Sequence, residues 1–183
     1  MKTKYASLLL LAIAFSATTY AQEYYRTFSG DIVISLTNRD STVMLVSHKL
    51  LVSLDYETSK ISLKVPLQTF RTGIDSFDTR LNAVRNLDLE FTGKLGITIN
   101  SRRFDPQRYN MEGIITSATA PMSVRGNGSM TCIPAGDKLT PACTLLLSME
   151  TTLSALHLSD LFPTAKEEVR IDLRQSVLEK QTN

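Results

Sequence analysis

Asp75 and Asp78 stand three residues apart between Arg71 and Arg80. Paired carboxylates perform acid–base chemistry when one of them is held protonated. Flanking guanidinium groups favour the ionised form of both. The pair therefore reads as turn capping and surface ion pairing ahead of catalysis. The chain has two histidines, His48 and His157. His48 shares a parity with Val46 and Leu50 in an alternating run. There it could meet a ligand headgroup or a quinone carbonyl, or be satisfied by the protein itself. His157 carries no signal. Neither a Gly-x-Ser-x-Gly nor a His-Glu-x-x-His pattern occurs, and no phosphate-cradling glycine loop. Gly126-Asn127-Gly128 reads as a hairpin turn, because Asn-Gly favours such turns. No catalytic residue, metal or cofactor is expected. Arg102, Arg103 and Arg108 surround Phe104-Asp105-Pro106. That loop could touch anionic lipid headgroups at a membrane surface, or be a solvated hairpin tip.

Export frames the remaining chemistry. Lys2 and Lys4 precede the apolar run Leu8–Phe15, and Thr19-Tyr20-Ala21 closes it with small residues. This is the layout of a secretory signal over residues 1–21, which predicts a periplasmic or secreted domain at 22–183. No cysteine follows the cut, which argues against a lipid anchor. The whole chain carries 20 basic and 18 acidic residues, and removing the signal takes two lysines and no acid. A domain of zero net charge is not one that binds nucleic acid through excess positive charge. Cys132 and Cys143 are the only cysteines. In an oxidising compartment such a pair can form a disulfide across a Pro- and Gly-rich hairpin. A pair of metal ligands or a redox pair is the alternative, without a nearby His or Cys-x-x-Cys spacing to support it.

These groups must be positioned by strands. Of the chain's 183 residues 43% are hydrophobic and 21% charged, ordinary for a globular domain. Alternation of apolar and polar residues recurs from 28 to 178. Ile32, Ile34 and Leu36 share one parity. Val46, His48, Leu50, Val52 and Leu54 share another, and after a turn at 56–59 come Ile61, Leu63 and Val65. Leu89 and Phe91 continue through Leu95, Ile97 and Ile99. Later runs centre on Tyr109–Ile115, Met122–Val124, Leu145–Leu153 and Val169–Leu173. About eight strands with no βαβ alternation predict an all-β antiparallel sandwich or barrel. Gly113, Gly126 and Gly128 inside strands suit bulges or tight corners. The stretch 67–86 breaks the pattern. Phe70, Ile74, Phe77, Leu81 and Val84 recur at helical spacing, so a short amphipathic helix is expected there, interrupted near Gly73. A smaller one is expected at Leu156–Leu161.

In this order of elements the chain resembles the YceI-like family. The resemblance rests on Phe28-Ser29-Gly30-Asp31, on Arg71-Thr72-Gly73-Ile74-Asp75-Ser76-Phe77-Asp78-Thr79-Arg80-Leu81, and on Leu89-Glu90-Phe91-Thr92-Gly93. It continues in Tyr109-Asn110-Met111-Glu112-Gly113 and Glu168-Val169-Arg170-Ile171-Asp172-Leu173. It departs at Leu153–Phe162, which lacks the family's aromatic-rich pattern, and in the Cys132–Cys143 hairpin, an addition. The resemblance implies a lipocalin-like antiparallel β-barrel of an exported protein that binds a long isoprenoid or other lipid chain inside. It implies binding without a reaction.

The inferred lining is aliphatic: Ile32, Ile34, Leu50, Val52, Leu54, Ile61, Leu63, Val65, Leu89, Phe91, Met111, Leu145 and Leu147. His48 and Phe70 join it as expected ligand contacts. Such a lining suits an isoprenoid, quinone or fatty-acid-like chain, since burial gains about 0.8 kcal/mol per methylene. The same residues would equally make a packed core, and alternation does not separate the two. A packed barrel acting as an interaction protein of the cell envelope is therefore the alternative.

Overall fold

A computed structural model describes residues 24–38, 41–84, 87–116, 121–133 and 142–180. The expected signal at 1–21 lies outside the described residues. Eight strands follow one another: β1 (Tyr24–Asn38), β2 (Ser41–Asp55), β3 (Lys60–Pro66), β4 (Asp88–Leu95), β5 (Gln107–Thr116), β6 (Met122–Ile133), β7 (Ala142–Thr152) and β8 (Ala165–Lys180). Each pairs antiparallel with its neighbour, and β8 returns to β1, closing an up-and-down barrel. Closure removes the two free edges of an open sheet, although β2 pairs β3 only over Leu51–Leu54 and meets Arg71 in a single bridge at Val46. Strand β3 shows why the chain takes this form: Ile61, Leu63 and Val65 are buried while Lys60, Ser62 and Lys64 are exposed. One buried face with a period of two is the condition for a half-solvated strand.

Three bulges correct the simple parity reading. Between β1 and β2 the partners run Thr27↔Val52, Gly30↔Leu50 and Ile32↔Ser47, so each strand contributes one extra residue. In β2 that extra residue falls at His48-Lys49. Leu50, Val52 and Leu54 face inward below it, and Leu45 and Ser47 above it. His48, expected on the interior, is therefore exposed on the outer surface. One inserted residue moves all later side chains to the other face. On β8 the partners of Leu145 and Leu147 are Ser176 and Leu173, a matching irregularity.

The glycine readings also change. Gly126-Asn127-Gly128 is no turn; it lies inside β6, with Asn127 opposite Asn110 and Ser148. Nor are the strand glycines bulges, since β5 pairs β4 and β6 in continuous register. Gly113 and Gly128, like Gly93, make room for rings, and Gly126 lies against Met111 and Met149. A Cβ on Gly93 or Gly113 would fall 2.4 Å or 2.5 Å from Cζ of Phe91, and one on Gly128 2.6 Å from the Tyr109 hydroxyl. Aromatic side chains thus cover the bare backbone from neighbouring strands.

The interruption after β3 is a 3₁₀ turn (Leu67–Thr69) followed by helix α1 (Asp75–Ala83). Gly73, at φ +75°, separates them in a backbone region that glycine adopts without strain. The helix expected at Leu156–Leu161 is instead a series of turns, with His157 at φ 56°. Strand β4 ends at Leu95, so Ile97 and Ile99 fall in the connection to β5.

Candidate functional site

The barrel interior is one continuous apolar cluster. Apart from His48, all of the expected contact residues lie in it: Phe70 on the strap and the thirteen strand residues from Ile32 to Leu147. At its centre is a cavity of about 10 Å³, bordered only by Ile32, Leu50, Leu63, Val65, Leu89, Phe91, Ile115, Met149 and Ile171. That is about the room of one water, in surroundings that offer water no partner. A larger depression of about 900 Å³ lies elsewhere, on the outer face between Arg108 and Arg174, and opens to solvent.

One end of the barrel is covered by the strap of residues 67–84. Leu67, Phe70 and Leu81 are buried beneath it. Polar attachments add to this apolar contact. Arg71 exchanges two backbone hydrogen bonds with Val46, at 2.8 and 2.9 Å. Thr69 Oγ1 donates to the Pro66 carbonyl at 2.7 Å and lies 2.6 Å from Ser47 Oγ. Nothing in the sequence marks this hydroxyl pair, because Ser and Thr are common in strands and loops alike and the two are 22 residues apart. Asp78 accepts from the Thr72 amide and hydroxyl, both at 2.7 Å. Those bonds, the backbone one foremost, hold its carboxyl below the usual range. The carboxylate is thus occupied in closing the turn that starts α1. The connection 153–164 completes this cover. The Phe77 ring lies 4.7 Å from that of Phe162. Glu167 accepts from the hydroxyl and amide of Ser154, which lower its pKa.

The opposite end is closed differently. Cys132 and Cys143 face each other across β6 and β7 with Cα atoms 4.0 Å apart, and they form a disulfide. The Tyr56 hydroxyl is 3.8 Å from Cys132 Sγ, and its ring stacks on Tyr25 at 3.7 Å. Asp55 accepts from the Glu57 and Thr58 amides and the Thr58 hydroxyl, fixing the β2–β3 turn. Burial pushes the Tyr56 and Tyr109 phenols far above their usual range. Tyr109 is satisfied by donating to the Leu146 carbonyl at 2.7 Å.

His48 sits outside, with Nδ1 2.6 Å from Asp31 Oδ1. Asp78 is bonded to Thr72 and His48 to Asp31, so the two do not share a bonding partner. Among the described residues no three His, Cys, Asp or Glu side chains are placed to hold a metal. Arg102 and Arg103 are exposed, and Phe104 is 68% exposed at the same loop tip.

No family model and no curated protein matches the chain. Solved structures do. A polyisoprenoid binding domain from Saccharophagus degradans, described as implicated in plant cell wall breakdown, aligns with a TM-score of 0.63 at 11% identity, covering 87% of this chain and 98% of that one. BcnA of Burkholderia cenocepacia aligns with a TM-score of 0.56, also at 11% identity, covering 84% and 96%. The chain has the β-barrel fold of these proteins over nearly their whole length.

Proposed function

We propose that this is an exported binding module of YceI-like type that takes one long apolar chain, isoprenoid, quinone or fatty-acid-like, into its barrel. The observation that carries the reading is the wholly apolar barrel interior, with a small apolar cavity inside it and a strap over one end that has no covalent tie to the barrel wall. The expected contacts are the inward residues named above, with Leu50, Leu63, Val65, Leu89 and Phe91 already bordering the cavity. A volume of about 10 Å³ holds no such chain, so binding requires the strap to yield. Leu67, Phe70 and Leu81 leave the barrel mouth, and the ligand takes over their contacts. Each methylene that enters gains about 0.8 kcal/mol, which offsets exposure of those side chains. The S. degradans domain, of the same fold, is described as binding polyisoprenoids, and this supports the class of ligand. The disulfide suits an oxidising compartment. The module binds and carries; no reaction is assigned to it.

The small cavity favours a second reading, a filled barrel that serves as an interaction protein of the envelope. Native mass spectrometry separates the two. The mature protein, purified from its own envelope without detergent, is expected to carry one extra mass that organic extraction releases as a long-chain lipid. A bare mass, together with failure of added prenyl and acyl chains to bind, selects the filled barrel.

A further inference from the structure

The β2 bulge has placed two successive side chains, His48 and Lys49, on the outer surface. A regular strand would have sent one of them inside. Beside them, at the seam between β2 and the strap, is a concavity of about 430 Å³ lined by His48, Lys49, Gln68, Thr69, Arg71 and Asn82. Its chemistry is unlike that of the barrel: one lysine, one guanidinium, an imidazole, two amides and a hydroxyl. Arg71 Nη1 donates to the carbonyls of Gln68 at 2.8 Å and Phe70 at 2.6 Å, which holds the guanidinium against the strap. Neither Lys49 nor Arg71 has a carboxylate within ion-pair distance among the described residues. Two carboxylates stand near. Asp31 is committed to His48 Nδ1, and Asp78, which feels the Arg71 charge, is committed to Thr72. The site therefore presents a lysine and a guanidinium with no carboxylate in direct contact among the described residues, an arrangement that suits a compact oxyanion.

Its location gives the second half of the argument. Thr69 lines the concavity and, through its hydroxyl, contacts the fully buried Ser47 Oγ. Leu45 and Leu50, on the same strand, belong to the apolar interior. The Ser47–Thr69 pair is thus a polar threshold between a cationic concavity and an apolar barrel. We propose that the concavity is a headgroup site, which holds the phosphate of a long-chain phosphate ester while the tail passes this threshold into the barrel. This rests on the chain-binding reading above, and it specifies which end of the ligand stays outside and what charge it bears.

The test compares three probes on the purified mature protein at low salt: dodecyl monophosphate and dodecanol, both below their aggregation concentrations, and inorganic phosphate. The phosphate ester is expected to bind about tenfold more tightly than the alcohol. Lys49→Gln, which removes no strap hydrogen bond, is expected to erase most of that advantage and leave the alcohol's affinity unchanged. Adding Arg71→Gln should erase the rest. Equal binding of ester and alcohol by the unmodified protein overturns the headgroup site and leaves the chain-binding barrel standing. Equal weakening of both by Lys49→Gln does the same. Inorganic phosphate that competes as strongly as the ester makes the concavity a free-anion site and overturns the link to a tail. If neither dodecyl compound binds, the chain-binding reading falls and the headgroup site with it.

Discussion

Where β3 passes into β4, the barrel is covered by a strap held by the backbone bonds between Arg71 and Val46, the Ser47–Thr69 hydroxyl contact and the buried side chains of Leu67, Phe70 and Leu81. Where β6 turns into β7, it is closed by the Cys132–Cys143 bridge and the Tyr25–Tyr56 stack. Water and ligand groups can replace hydrogen bonds one at a time, at a net cost of about 1 kcal/mol each. They cannot replace a disulfide or a buried aromatic pair. Both ends bury aromatic side chains, but only the β6–β7 end is closed covalently, so the strap end is the one whose contacts an apolar chain could take over. On the proposed reading, a chain that enters the barrel would do so past the strap.

The largest effect that tests this contrast comes from the aromatic side chains. Tyr56→Ala removes a buried ring at the closed end and is expected to cost about 3–5 kcal/mol in denaturant unfolding. Phe77→Ala, half-buried on the strap, should cost about 1 kcal/mol and speed hydrogen exchange at residues 67–84. Similar costs for the two, or exchange that spreads over the barrel, would contradict the difference between the ends. Next comes the disulfide. Cys132→Ser with Cys143→Ser is expected to lower stability by about 2–3 kcal/mol, with ligand exchange rates unchanged. Faster exchange in that variant would place the point of admission at the wrong end.

The smallest effect is that of acid. Asp78 and Glu167 both have lowered pKa values in the folded protein. Their contribution is fully present above the ordinary carboxylate range and is lost as pH falls through the folded values, from about pH 4 downward. Glu167 is exposed and Asp78 half-buried, and both bond within the cover, so the effect is local to it. Exchange protection, corrected for its intrinsic pH dependence, should fall at 67–84 and 153–164 and persist around Cys132. Asp78→Asn should flatten the response of the strap. Uniform loss across the barrel would refute the assignment.

Much of the barrel was legible along the chain because alternation is a local property. Ile61-Ser62-Leu63-Lys64-Val65 declares one wet and one dry face without reference to any partner. The cysteine pair was legible for the same reason, since the hairpin that joins the two is short. His48 was misplaced because the bulge beside it comes from the mismatch of β2 with β1, and no pattern within β2 contains it. The Gly126-Asn127-Gly128 run looks like a turn by itself. It is a strand because Tyr109 from β5 needs bare backbone to lie against.

Local pattern was enough for about eight strands, for the inward face of strands without bulges such as β3, for the break at 67–86 and for a lining that prefers hydrocarbon to water. Contacts between distant strands were needed to close β8 on β1, to set His48 and Lys49 together outside, and to leave a cavity of about 10 Å³ among the inward side chains. The physical reason is one of range. Burial preference belongs to each residue and its nearest neighbours in the chain. Register and free volume are small differences between large sums over strands that meet only in the folded barrel.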